Sequence, residues 1–173
     1  LKEIKNFPGV PGRMERINPL NKSKANQVPI VLIDYAHTPD GLRKALIASR
    51  SFSLGQIICV FGCGGDRDRS KRSKMGSIAS DLADLIILTS DNPRSEDQAQ
   101  IFDDIQIGID PKSNYLLESD RAAAISKAIS KATPKDIVLI AGKGHEDYQI
   151  LGDKIIHFND REQAEIAIKN YIN

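Results

Sequence analysis

Ile57-Ile58-Cys59-Val60-Phe61, running straight into Gly62-Cys63-Gly64-Gly65-Asp66-Arg67-Asp68, is the stretch that decides the fold. An unbroken apolar run this short, rich in β-branched residues and closed by glycines, reads as a strand buried on both faces, and such strands are typically parallel. Ile30–Ile33, Leu85–Leu88 and Ile137–Ala141 read the same way, and Tyr115–Leu117 is a shorter candidate. Helical stretches separate them. One covers about 38–53, with Thr38 as N-cap and Pro39 at the first helical position. Others cover about 71–83, 120–132 and 160–171, and a further one follows Ser95, where Ser95 and Gln98 have capping-box spacing. Asn159 and Glu162 repeat that spacing before the last helix. Alternating strands and helices predict right-handed crossovers and a doubly wound, mostly parallel α/β sheet with helices on both faces.

Composition narrows the class. The 173 residues suit one domain, and we expect 1–173 to be a single unit with 1–11 as the end of a linker. Lys plus Arg is 24 and Asp plus Glu is 23, a net charge of +1 that speaks against a dedicated nucleic-acid binder. No apolar run is long enough to cross a bilayer. Two cysteines exclude a disulfide scaffold and fit a reducing cytoplasm. The sequence opens on Leu1, so we expect a piece of a longer polypeptide.

In such a sheet, ligands bind beyond the carboxyl ends of the strands. Four exits there are dense in polar, charged or glycine residues. The first is Asp34-Tyr35-Ala36-His37-Thr38-Pro39-Asp40, where Asp34 and His37 suit ribose hydroxyls or a phosphate; Asp34 could equally bond a nearby turn. At the second, the glycines allow close backbone approach, and Arg67 leads a basic segment into a helix N-terminus suited to an anion. It lacks the G-K-[ST] ending of a Walker A loop. Cys63 reads either as a nucleophile or, more commonly, as a small packing residue. Cys59 and Cys63 have no second ligand pair, so no metal site is expected. The third exit, Asp91-Asn92-Pro93-Arg94, is a turn by composition, in which Arg94 can grip a carboxylate with its planar fork and Asn92 can orient the same group. The fourth, Gly142-Lys143-Gly144-His145-Glu146, places Glu146 to meet an ammonium. Cationic Arg67 and Arg94 beside anionic Glu146 would complement a ligand bearing both carboxylate and ammonium, the simplest being an amino acid.

Taken in order, these four exits, together with Pro11-Gly12-Arg13-Met14-Glu15 and Tyr148-Gln149, resemble the C-terminal domain of the Mur ligases of peptidoglycan synthesis. The resemblance implies a Rossmann-like domain of an ATP-dependent amide ligase that works through an acyl phosphate. It implies that the UDP-binding and central ATPase domains lie outside this sequence, and that the central domain holds most of the ATP and Mg2+. By the same resemblance Arg67, Asn92 and Arg94 hold the distal carboxylate of meso-2,6-diaminopimelate, Gly142 and Glu146 receive its distal ammonium, and Asp91 belongs to that site. Arg13, Asp34 and His37 are implied to face ATP. No residue here is assigned a catalytic role, and the chain alone is expected to be inactive. A UDP-N-acetylmuramoyl dipeptide and the missing domains are the further partners implied, with no nucleic acid and no membrane insertion. Ser70, Ser73, Gln98 and Asn159 depart from the residues common in the family at those positions. The competing readings are another Mur ligase, a folylpolyglutamate synthase-like ligase, and a non-catalytic module for a zwitterion or nucleotide.

Overall fold

The computed structural model describes residues 10–19 and 22–172. Most of the expected 1–11 linker end lies outside them. The strands are β1 (Glu15–Ile17), β2 (Ile30–Asp34), β3 (Ile57–Phe61), β4 (Leu85–Leu88), β5 (Tyr115–Leu117) and β6 (Ile137–Ala141). They form one sheet in the order β1-β2-β6-β3-β4-β5. Every pairing is parallel except β1 with β2, so the edge strand in the irregular N-terminal region is antiparallel.

Strand alternation divides the interior into two cores, because successive side chains point to opposite faces. On one face Leu32, Cys59, Phe61, Leu88 and Leu139 pack with Leu46, Met75 and Ile105. Those three come from α1 (Pro39–Arg50), α2 (Ser70–Leu82) and α3 (Gln98–Gln106). On the other face Val31, Val60, Ile87 and Ile140 pack with Ile125, Ile129 and Ile168, from α4 (Arg121–Lys131) and α5 (Asp160–Ile172). The doubly wound α/β architecture is therefore present, with helices on both faces.

Helix ends follow local chemistry. Thr38 caps α1 by accepting from the Gly41 N–H, with Pro39 opening the helix, as the sequence predicts. The helix stops at Arg50, short of the expected 53. The start of α3 differs from expectation. Asp97, not Ser95, is the N-cap and accepts from Ala99 N–H. Ser95 is engaged elsewhere: its hydroxyl and its N–H both donate to the Asp66 carboxylate. At α5, Asn159 accepts from the Arg161 N–H as expected, but Glu162 turns to His157 rather than completing a capping box.

One element lies outside the expectations drawn from sequence. β7 (Tyr148–Leu151) and β8 (Lys154–His157) form a separate antiparallel hairpin. Its two-residue connection is Gly152-Asp153, with Gly152 at φ +59°, the geometry that a tight hairpin turn requires.

Candidate functional site

The exits of β2, β3, β4 and β6 meet in a cleft of about 530 Å³. Arg67, Asp91, Asn92, Arg94, Gly142 and Glu146 all line it, as do His37, Tyr35, Lys71 and Tyr148. Every residue expected at the amino-acid site is thus brought to one place. Arg13 and Asp34 are not on its wall. They sit beside it, Arg13 with its guanidinium 5.6 Å from the centre of the Tyr35 ring.

Close approach of two exits creates the cationic end. Gly65 N–H donates to the Asn92 carbonyl at 2.9 Å. A Cβ on Gly65 would stand 1.9 Å from the Pro93 carbonyl oxygen, so only glycine permits this contact. Arg94 adopts φ 53°, unusual for a residue with a side chain. The hairpin holds it there: Arg94 N–H donates to Ile150 O, and Gly152 N–H donates to Arg94 O. The Arg94 Nη1 donates to Gly65 O at 2.7 Å, which orients the rest of the guanidinium. Arg67 is exposed, and among the described residues it bonds only the adjacent Asp66 carbonyl.

A second layer fixes these loops. Arg72 is wholly buried and donates to Glu96, to Asp104 and to Gly64 O. Glu96 also accepts from Asp66 N–H. The hydrogen bonds from Arg72 hold the Glu96 carboxyl down at about 2. The α2 N-terminus, expected to suit an anion, already has one: Asp68 accepts from Ser70 N–H.

At the anionic end, Glu146 Oε2 accepts from Asn92 Nδ2 at 3.1 Å and from Lys143 Nζ at 3.3 Å. Asp91 is buried, and loss of hydration pushes its carboxyl above the usual range against the pull of Arg121 and Lys143. Gly142, at φ +121°, lets the β6 exit pass Asp91, since a Cβ there would lie 3.2 Å from Asp91 Oδ2. Behind the wall, Arg121 donates to both oxygens of buried Asp160 and to the carbonyls of Ser90 and Ala141. It joins α4 and α5 to the exits of β4 and β6.

Asp34 Oδ2 accepts from Met14 N–H at 2.8 Å, so it anchors the 10–14 turn, the simpler of the two roles its position suggests. His37 Nδ1 donates to the Tyr35 carbonyl, which orients the ring. Cys63 is a packing residue. Burial pushes its thiol up to about 12, and its Sγ–H points to Met75 Sδ. Sequence pattern does not single out Arg121 or Asp160 as site-forming; Lys143 lies inside a strand-exit motif, and Arg72 lies in the basic segment read as suiting an anion, where the protein's own Glu96 and Asp104 take it up.

This is a doubly wound α/β domain whose strand exits gather Arg67 and Arg94 beside the carboxylates of Asp68, Asp91 and Glu146 in one cleft. The family model for the Mur ligase, glutamate ligase domain matches residues 12–144, and the chain belongs to that family. Its relatives include proteins named UDP-N-acetylmuramoyl-L-alanyl-D-glutamate–2,6-diaminopimelate ligase. The protein of Prochlorococcus marinus (strain MIT 9313) is 58% identical over 173 residues, covering 100% of this chain and 34% of its own length. That of Synechococcus sp. (strain WH7803) is 59% identical over 171 residues, covering 99% of this chain and 34% of its own. A solved structure of a ligase of the same name superposes with a TM-score of 0.87 at 40% identity, over 99% of this chain and 34% of that one. The UDP-N-acetylmuramate-alanine ligase of Thermotoga maritima shares the fold, with a TM-score of 0.61 at 20% identity over 99% of this chain and 32% of that one. The chain spans about a third of the length of the curated relatives it matches.

Proposed function

We propose that this chain is the C-terminal, amino-acid-binding domain of an ATP-dependent ligase. That ligase joins meso-2,6-diaminopimelate to UDP-N-acetylmuramoyl-L-alanyl-D-glutamate, with the UDP-binding and central ATPase domains on the rest of the polypeptide. The observation that carries the reading is the convergence of Arg67, Asn92, Arg94 and Glu146 on one cleft. Arg94 and Arg67 receive the distal carboxylate, and Asn92 adds an N–H. The free oxygen of Glu146 takes the distal ammonium, with Gly142 leaving room beside it. Two ends gripped at once leave one orientation for the remaining amine.

The reaction transfers the γ-phosphoryl group of ATP to the D-glutamate side-chain carboxylate, releasing ADP. The free amine then attacks the acyl carbon, an amide forms, and phosphate leaves as the acyl carbon–oxygen bond breaks. This chain's contribution is to hold the amine in reach; His37 on the cleft wall and Arg13 beside it face the nucleotide, and Asp34 supports Arg13 through the 10–14 turn. Among the described residues no group of three or more His, Cys, Asp or Glu is placed to hold a metal ion. The Mg2+ that accompanies ATP would be held mainly by the central domain on the rest of the polypeptide.

No helix of the described residues is long and apolar enough to cross a membrane; with the reducing context read from its thiols, we place the enzyme in the cytoplasm. Calorimetric titration of the full-length enzyme tests the substrate. Tight binding of meso-diaminopimelate with no heat from L-lysine supports the reading, and equal binding of both refutes it. The isolated chain, mixed with ATP, Mg2+ and both substrates, should release no phosphate above background.

A further inference from the structure

Lys143 lies directly behind the cleft wall and is 0% exposed. Its ammonium is 3.2 Å from Asn92 Oδ1, 3.3 Å from Glu146 Oε2 and 3.7 Å from Asp91 Oδ1, and 5.4 Å from the centre of the Tyr148 ring. Asn92 Oδ1 also accepts from Ile150 N–H at 3.0 Å. An ammonium and a backbone N–H can only donate, so the Asn92 oxygen must face them. The amide is thereby fixed with its NH2 toward Glu146 and the cleft. One N–H goes to Glu146 Oε2, and the other remains for a ligand. Glu146 Oε2 accepts from both Lys143 and Asn92, while Oε1 has no partner among the described residues.

We propose that Lys143 is the positioning residue of the amino-acid site: its buried ammonium sets Asn92 as a donor and pins one oxygen of Glu146, so that the other meets the ammonium of the substrate. The proposal rests on the ligase reading above. Methionine matches the length of the lysine stem, but it leaves Asp91 and Glu146 without their buried ammonium, a stability loss that falls on both substrates alike. What methionine lacks is the donor that sets the polarity of Asn92 and the position of Glu146. Lys143 does not line the cleft, so it acts through those two residues.

The test uses the full-length enzyme with two substrates, meso-diaminopimelate and 2-aminopimelate, which lacks the distal amine. A site built to pair with an ammonium discriminates against the analogue. In Lys143→Met the ratio of kcat/KM for the two should fall by about tenfold or more, with the KM for ATP changed by less than about threefold. Lys143→Gln, which keeps a donor NH2 group on a shorter side chain, should recover part of the ratio. A purely structural role would lower both substrates together; an unchanged ratio in either variant overturns the proposal. So does failure of both variants to fold, because Lys143 would then belong to the frame of the domain. A wild-type enzyme that does not prefer meso-diaminopimelate over the analogue refutes the ligase reading itself, a separate outcome visible before any variant is made.

Discussion

Replacing Arg94 by alanine in the full-length enzyme removes the guanidinium and little else. The backbone of Arg94 is held on both sides by the hairpin, through Ile150 O and Gly152 N–H, and neither bond involves the side chain. Alanine meets the same φ of 53° that arginine already tolerates. Within the protein the loss is the Nη1 bond to Gly65 O at 2.7 Å and a weak one to Asn92 O at 3.4 Å. Toward substrate the loss is one or two charge-assisted bonds to a carboxylate, together about 2–4 kcal/mol. At roughly 1.4 kcal/mol per factor of ten, the KM for meso-diaminopimelate should rise roughly 30- to 900-fold. Steady-state kinetics with each substrate varied in turn is the assay. The KM for ATP should stay within about threefold, since no ATP-facing residue depends on the Arg94 side chain. Arg94→Lys should recover only part of the loss, because a point charge cannot reproduce the planar fork. A rise below about threefold for diaminopimelate, or an equal rise for ATP, refutes the assignment.

Three other outcomes follow from the same geometry. Arg121→Met leaves Asp160 buried without its partner and should cost about 3–5 kcal/mol, read as a lowered urea midpoint. Glu96 has its carboxyl pulled down from the usual 4.5 to about 2, so its contribution to stability is full above pH 4.5 and is lost as pH falls toward 2. Glu96→Gln should flatten that part of the acid-unfolding curve, and an unaltered curve would contradict the pairing with Arg72. Cys63 and Cys59 are both buried with thiols pushed up to about 12, so iodoacetamide at pH 8 should label neither until the chain unfolds.

The central sheet was legible because its strands bury both faces and therefore carry uninterrupted apolar runs, as Ile57–Phe61 does. β8 is hidden for the opposite reason. All four of its residues are exposed, so no core imposes a pattern on it. The Gly152-Asp153 pair is nevertheless a hairpin signal. Ser95 misleads because spacing alone does not reveal that a distant carboxylate, Asp66, will claim its hydroxyl. The expected residues that line the cleft were readable because each is a charged, amide or glycine residue at a strand exit. Its supporting ions were not. Arg72, Arg121 and Asp160 look like ordinary surface charges in sequence, and only the packing of α2, α3, α4 and α5 buries them. Arg13 was placed by resemblance and Asp34 by its strand exit as well; both lie beside the cleft, not on its wall.

The hairpin has a consequence for how selectivity changes. It contributes no side chain to either core cluster, yet it splints the residue that carries the guanidinium. Lengthening or re-tipping the ribbon at Gly152 would re-aim that group without disturbing a single layer of the sheet. The aim of Arg94 is therefore set in part by a peripheral bracket, and it can drift there while the scaffold beneath it stays intact.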